Sequence, residues 1–220
     1  MRYRASLVEQ RTGIKNSIHA LLSKSNVSPP FRDLFCPSGM RFLSSLELAE
    51  ERRFALSGKL RVLDALSQEI KLVEGVLKET YRESEEALLL STLPGVGMIL
   101  SLTILSEIGE VGRFHSAKHL SSFAGLVPST HQSGGHQRHG RITKQGSRWL
   151  RWALVEAAIH AAGKPGPLRD HYLKVKKKKG AKVARVATAR KMATYIYHML
   201  KEKKTYQELL LSISRPSDLG

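Results

Sequence analysis

Apolar residues at steps of three and four constrain the fold of this chain most strongly. They are Leu56, Leu60, Leu63, Leu66, Ile70, Val73 and Leu77. This spacing puts them on one face of an α-helix, and interleaved charged residues keep the other faces in water. We predict a long amphipathic helix within residues 43–90. Two partners for its apolar face remain open: a coiled coil with another chain, or a helix predicted over residues 2–22.

The segment from Ala87 to Ser106 carries no charged residue and has nearly the length of a membrane-spanning helix. A central turn, Pro94-Gly95-Val96-Gly97, divides it into two short apolar helices. We therefore predict a buried helical hairpin and no membrane partner. The turn resembles a helix-hairpin-helix, whose amides at Gly95, Val96 and Gly97 would bind a phosphate. The alternative is a tight turn inside the core.

The remaining pattern predicts a mainly α fold, in which the long amphipathic or coiled-coil helix precedes a helical domain containing the helix-hairpin-helix. Further helices are predicted over residues 115–126, 147–163, from about 167, and 181–203, with Ser147 as an N-cap. No segment alternates strongly enough to predict a strand. We expect a helical region at 1–84, a DNA-binding domain at 85–204 and a tail at 205–220.

Charge is distributed very unevenly. Residues 1–110 hold fourteen basic and fourteen acidic side chains, whereas residues 111–204 hold twenty-one basic and three acidic ones. Such a cationic half favours a polyanionic partner, with nucleic acid foremost. The single cysteine, Cys36, excludes an intramolecular disulfide and suits a reducing compartment.

A glycine-flanked serine lies in the basic half, within "HQSGGHQRHGRITKQGSRWLR", residues 131–151. Ser133 has no evident structural role there, whereas Ser129 reads as a turn hydroxyl. A serine that attacks a phosphodiester needs a base and cations that stabilise phosphate charge. The basic residues expected to contact phosphate here are His131, Arg138, Arg141, Lys144 and Arg148. These residues alone leave a nucleophile and a passive phosphate clamp equally open.

The lysine run Lys176, Lys177, Lys178 and Lys179 is a further candidate for phosphate contacts. The alternative is a solvated, flexible charge run. His115 and His119 have a spacing that could hold zinc, but Val111 to Val155 contains no Asp or Glu. We therefore expect no metal site in this chain.

Four stretches in this order resemble the C-terminal half of bacterial transposases of the insertion sequence 110 family (110/116/902). They are "LPGVG", "FHSAKHLSSFAGLVPS", "SGGHQRHGRITKQGSRWLRWALVEAAIHAA" and a basic final helix, within residues 88–204. The resemblance implies a DNA transposase whose C-terminal serine is the nucleophile, here Ser133, with Ser129 as the fallback. Some family members use a structured guide RNA, which leaves RNA open as a second partner.

The resemblance also implies an N-terminal RuvC-like domain whose acidic residues bind Mg²⁺. Because Met1 already lies in the family's middle helix, we expect that domain to be absent and Mg²⁺ to be required only with it. The expected protein binds DNA in the bacterial cytoplasm, at the nucleoid, and forms homo-oligomers through its coiled coil. The alternatives are a non-catalytic nucleic-acid-binding module, an inactive transposase remnant, or a structural coiled-coil protein.

Overall fold

The computed structural model describes the backbone of residues 1–133 and 136–214 and the side chains of residues 1–129 and 142–212. The fold is mainly α-helical, which confirms the predicted fold class. The chain divides into two compact units, Met1–Leu77 and Lys78–Gly220. Within the described residues, no helix combines the length and apolarity needed to cross a membrane.

The first unit is built on α1 (Arg2–Lys24), α2 (Pro37–Ser45) and the greater part of α3 (Glu50–Glu83). Its buried side chains come from all three helices and the loop before α2: Ile18, Leu22, Leu34, Leu43, Leu56 and Leu63. Lys59 Nζ donates to Ser17 Oγ at 3.1 Å, and Arg4 Nε donates to Glu74 Oε1 at 2.8 Å. The apolar face of α3 therefore packs on α1 of the same chain, whereas a coiled coil with another chain stays a prediction.

The single helix predicted within residues 43–90 is divided into three. α2 ends at Ser45, α3 follows after an extended residue at Leu46, and α4 (Glu85–Ser91) begins after Ser84. Ser84 is the N-cap of α4, because its Oγ accepts the Ala87 N–H at 3.1 Å. A serine that caps a new helix competes with continuation of the preceding one, which apolar spacing alone does not reveal.

The helices of the second unit are, in chain order, α4, α5 (Met98–Ile108), α6 (Ala117–Phe123), α7 (Arg148–Ala161), α8 (Pro167–Glu202) and α9 (Tyr206–Ser214). They pack around α8, which contacts α4, α6, α7 and α9. Four fully buried alanines of α7, at 153, 157, 158 and 161, let neighbouring elements approach closely. The core extends through Tyr206 and Leu209 to α9. The sequence did not predict this helix, because residues 205–220 were expected to form a tail.

Helix α8 is interrupted at Gly180, whose φ of 79° and ψ of 168° are not helical. The lysine run precedes this break and is helical and exposed, not a flexible coil. After the break, Ala189, Ala193 and Ile196 are buried, whereas Val183 is exposed.

An antiparallel hairpin of β1 (Pro128–Ser133) and β2 (His136–Ile142) connects α6 to α7. The sequence predicted no strand, so this expectation was wrong. Strands are recognised by apolar alternation, which requires one face to lie on a core. The segment "THQSGGHQRHGR" has no such alternation. The pairing is made by main-chain groups and leaves no comparable signal.

Candidate nucleic-acid interface

The glycine turn between α4 and α5 is packed against α7. Gly95 has a φ of 89°, and a Cβ there would overlap the carbonyl oxygen of Ala157. The Val96 N–H donates to the Leu93 carbonyl at 3.0 Å, and its side chain is buried. The prediction that Val96 offers an unpaired amide to phosphate is therefore wrong, because the turn itself uses that amide.

Gly97 lies in a different environment from Gly95, although they are two residues apart. It is exposed, it is the N-cap of α5, and no side chain caps the first turn of that helix. An uncapped helix start presents main-chain N–H groups and a partial positive charge. Gly97 remains suited to the phosphate contact predicted for it.

The base of the hairpin is held by main-chain hydrogen bonds and one arginine. Arg151 Nη1 donates to the carbonyls of Ala124 at 3.1 Å and Lys144 at 3.0 Å. Gly125 fits beneath this arginine, because a Cβ there would lie 2.7 Å from Nη1. Arg151, although it belongs to the basic stretch, is committed to the fold.

Ser147 joins the hairpin base to two helices. Its Oγ accepts the Leu150 N–H at 3.0 Å, which confirms the predicted N-cap of α7. The same hydroxyl donates to Oε2 of Glu107, near the end of α5, at 2.7 Å. The contact with Glu107 was not predicted, because nothing in the sequence links positions forty residues apart.

The hairpin carries both candidate serines on β1. Ser133 ends the strand and pairs with His136, whereas Ser129 lies where the register shifts between Pro128 and Thr130. His131 pairs with Arg138 in the same ladder. The side chains of Ser133, His131, Arg138 and Arg141 lie outside the described residues, as do Gly134 and Gly135 altogether.

A groove of about 1380 Å³ runs between α8, α6 and the base of the hairpin. We call it the basic groove, because six of the side chains that line it are cationic: Lys118, Lys144, Lys179, Lys182, Arg190 and Lys191. Its apolar lining includes Val127, Pro128, Ile142, Val183 and Val186. The groove brings together two predicted residues, Lys144 and Lys179, that are distant in the sequence.

The predicted residues Arg148, Lys176 and Lys177 are exposed but do not line the basic groove. Conversely, the sequence assigned no role to Lys118, which does line it. Lys182 and Arg190 belong to the basic stretch that follows the lysine run. In the sequence, their charge was the only indication that they could contact phosphate. The fold, not the sequence spacing, selects which cations face the same space.

His171 also lines the basic groove. Its Nε2 is buried and has no hydrogen-bond partner among the described residues. Burial lowers the pKa of His171, and the nearby charge of Lys191 lowers it further. The ring is therefore uncharged at neutral pH.

The predicted histidine pair lies outside the groove. The rings of His115 and His119 meet edge to face, with centroids 5.5 Å apart. In the described part of the chain, no three His, Cys, Asp or Glu side chains cluster as metal ligands.

Residues 87–173 match the family model "Transposase IS116/IS110/IS902 family". The chain is 29% identical over 220 residues to the transposase for insertion sequence element IS1111A of Coxiella burnetii, covering 94% of this chain and 59% of that protein. It is 29% identical over 176 residues to an uncharacterized 44.8 kDa protein of insertion element IS116 from Streptomyces clavuligerus, covering 74% and 43% respectively.

A third relative is the pilin gene-inverting protein of Moraxella bovis, which is 30% identical over 148 residues. That match covers 66% of this chain and 46% of the relative. The chain thus spans about half the length of these relatives. The family match at residues 87–173 lies within the second unit and covers α5, α6, the hairpin and α7. Residues 87–173 thus match the IS116/IS110/IS902 transposase family, which confirms the predicted resemblance.

Proposed function

We propose that this chain is the part of a DNA transposase or site-specific recombinase that binds DNA and supplies a serine nucleophile. The observation that carries the proposal is the junction of the basic groove with the hairpin. Pro128 and Ile142, where the hairpin begins and ends, line the groove beside Lys144. A strand held by the groove would thus lie next to the element that carries Ser133.

The proposed reaction is attack of the Ser133 hydroxyl oxygen on a phosphodiester phosphorus. A new serine–phosphate bond forms, one phosphorus–oxygen bond of the DNA breaks, and the departing sugar oxygen takes up a proton. His131 is the candidate base for the serine proton, and Arg138 and Arg141 are the candidates for stabilising the charge on phosphate. Ser129, on the same strand, is the alternative nucleophile.

Further cations extend the proposed DNA contact beyond the hairpin. Arg148 begins α7, and its side chain is exposed. The four lysines from Lys176 to Lys179 are exposed on α8. Together with the uncapped helix start at Gly97, they form a sequence-independent phosphate-binding surface.

Trapping of a covalent adduct tests the nucleophile. Since the chain spans 59% of the IS1111A transposase, the assay includes the rest of such a relative as a second polypeptide, with Mg²⁺ for its expected acidic site. A DNA strand should become joined to Ser133, and Ser133→Ala should remove the adduct while DNA affinity changes little. Adduct on Ser129, or full activity of Ser133→Ala, would refute the assignment.

The salt dependence of DNA binding tests the phosphate contacts. Affinity should fall steeply with ionic strength, with a logarithmic slope of about −0.9 for each phosphate neutralised. Replacing Lys176–Lys179 with alanine should weaken binding to all sequences alike and flatten that slope. An unchanged slope would remove the lysine run from the interface.

A non-catalytic nucleic-acid-binding module is the second candidate, because the cations of the groove would hold DNA whether or not a serine acts on it. In that case DNA binding persists, with its steep salt dependence, but no adduct forms on any serine. The adduct assay therefore separates the two candidates.

The proposal includes two further partners, a structured guide RNA and a second copy of the chain. Large apolar side chains of α3 that remain exposed, Phe54, Val62 and Leu72, favour self-association. Leu72→Glu should lower the mass measured by sedimentation if this surface joins two copies. Competition between RNA from the insertion element and labelled DNA tests whether the chain binds a guide RNA.

A further inference from the structure

We infer that the basic groove binds an unpaired segment of a DNA strand, with its phosphates on the six cations of the lining, here called the rim, and its bases on the apolar side chains of the lining, here called the floor. This inference rests on the proposed function, because it takes as occupant the strand on which the hairpin acts. It adds a site for single-stranded DNA that is distinct from duplex contacts on the outer surface.

Charge complementarity is the first argument. The rim carries six positive charges, and the described residues that line the groove include no acid. In the described part of the chain, no carboxylate forms an ion pair with Lys118, Lys182 or Arg190, nor with the other three rim cations. Cations that surround one groove and have no carboxylate partner among the described residues favour a polyanion.

The apolar floor is the second argument, and it distinguishes an unpaired strand from a duplex. In a duplex the bases are stacked and paired inside, so an aliphatic floor has no apolar surface of the ligand to cover. In a single strand the base faces are open, so aliphatic side chains can cover their apolar surface while neighbouring cations hold the phosphates. Val183 is 46% exposed at this floor, which leaves it available to a ligand.

His171 supplies the third argument. His171 lines the groove, and its buried Nε2 has no hydrogen-bond partner among the described residues, an arrangement that costs free energy. If the ring turns on binding, a nucleobase edge can supply the missing hydrogen bond. The lowered pKa of His171 keeps its ring uncharged, which suits contact with a base better than with a phosphate.

The position of the groove selects DNA as the occupant. Pro128 and Ile142 line the groove and also pair at the base of the hairpin, so the groove lies at the start of the strand that carries Ser133 at its other end. A DNA strand opened for cleavage at Ser133 and lying along the hairpin would bring its unpaired bases to the groove.

Val183→Asn and a matched control, Leu173→Asn, test the inference by fluorescence anisotropy with short single-stranded DNA, duplex DNA and RNA of one sequence. Val183 and Leu173 are both on α8 and both 46% exposed, but Leu173 does not line the groove. Val183→Asn should weaken single-stranded DNA binding about tenfold, because it removes apolar surface from the contact with bases, and duplex binding less than about twofold. Leu173→Asn should change neither, and circular dichroism checks that both variants fold.

Lys182→Gln completes the design, because it should weaken single-stranded DNA binding and flatten its salt slope. Equal losses for duplex and single strand in Val183→Asn would overturn the inference, as would an unchanged affinity for single-stranded DNA. Preferential loss of RNA binding would overturn the choice of DNA. Duplex binding without single-strand binding would leave the proposed function intact, whereas loss of all DNA binding by the unmodified chain would refute both.

Discussion

Two neighbouring basic regions of the second unit use their polar groups in opposite ways. At the base of the hairpin, Arg151 donates to two carbonyls and the Ser147 hydroxyl bonds both Leu150 and Glu107. In the basic groove, Lys118, Lys182 and Arg190 line open space without a carboxylate partner among the described residues. A cation near a glycine-rich loop therefore indicates ligand binding only when the fold supplies no acceptor for it.

The first unit repeats the first of these arrangements. Arg53 Nη1 donates to the carbonyls of Leu43 at 3.0 Å and Leu46 at 3.3 Å, so this cation closes the end of α2. The comparison predicts that cations bound to main-chain carbonyls affect stability, whereas cations in the groove affect DNA affinity. The substitutions below test this distinction between stability and DNA affinity, in order of decreasing expected effect.

Gly95→Ser and Gly97→Ser should differ most strongly. At Gly95 the positive φ and the overlap with the Ala157 carbonyl should cost about 3 kcal/mol or more of unfolding free energy. At Gly97 the φ of −110° is ordinary and nothing lies within 4 Å of a Cβ, so serine should change stability by less than about 0.5 kcal/mol. Urea denaturation measures both. Similar costs at the two positions would contradict the packed turn.

Arg151→Ala and Arg148→Ala should separate a structural arginine from a binding one. Loss of the two carbonyl contacts of Arg151 should lower the unfolding free energy by about 2 kcal/mol. Arg148 is exposed, so its replacement should cost less than about 0.5 kcal/mol and instead weaken DNA binding. Denaturation and anisotropy on both variants provide the measurement, and the reverse pattern would break the comparison.

Ser147→Ala should have a smaller effect on stability. The cap hydrogen bond to Leu150 and the contact with Glu107 are lost together, which should cost about 1 kcal/mol. Ser116→Ala is the control, because its cap contact with the His119 N–H is longer, at 3.4 Å, and should cost less. DNA binding should survive in both variants. A larger loss of stability in Ser116→Ala would disprove the role assigned to Glu107.

Sequence periodicity predicted most of the helices and the cap at Ser147, because each depends on residues within one or two turns. It did not predict the hairpin, since "THQSGGHQRHGR" offers no apolar alternation. The prediction that the Val96 amide is free to bind phosphate was wrong, because that amide donates to the Leu93 carbonyl within the turn. Sequence periodicity also could not group Lys118 with Arg190, since only the return of the chain after Gly180 brings them to one groove.

The smallest expected effect is the pH dependence that His171 adds to stability. Its pKa in the folded state is lowered, first by burial and then by Lys191, so the unfolded state binds a proton more readily in mild acid. This contribution to stability is fully present above the ordinary histidine value of about 6.5 and is lost as the pH falls through it toward the lowered pKa. We expect the unfolding free energy to decrease over that interval more in the unmodified chain than in His171→Gln. The other histidines titrate in both proteins, so the difference between the two urea curves isolates this residue. Identical pH dependence would mean that His171 is solvated, and would remove the buried nitrogen from the description of the groove.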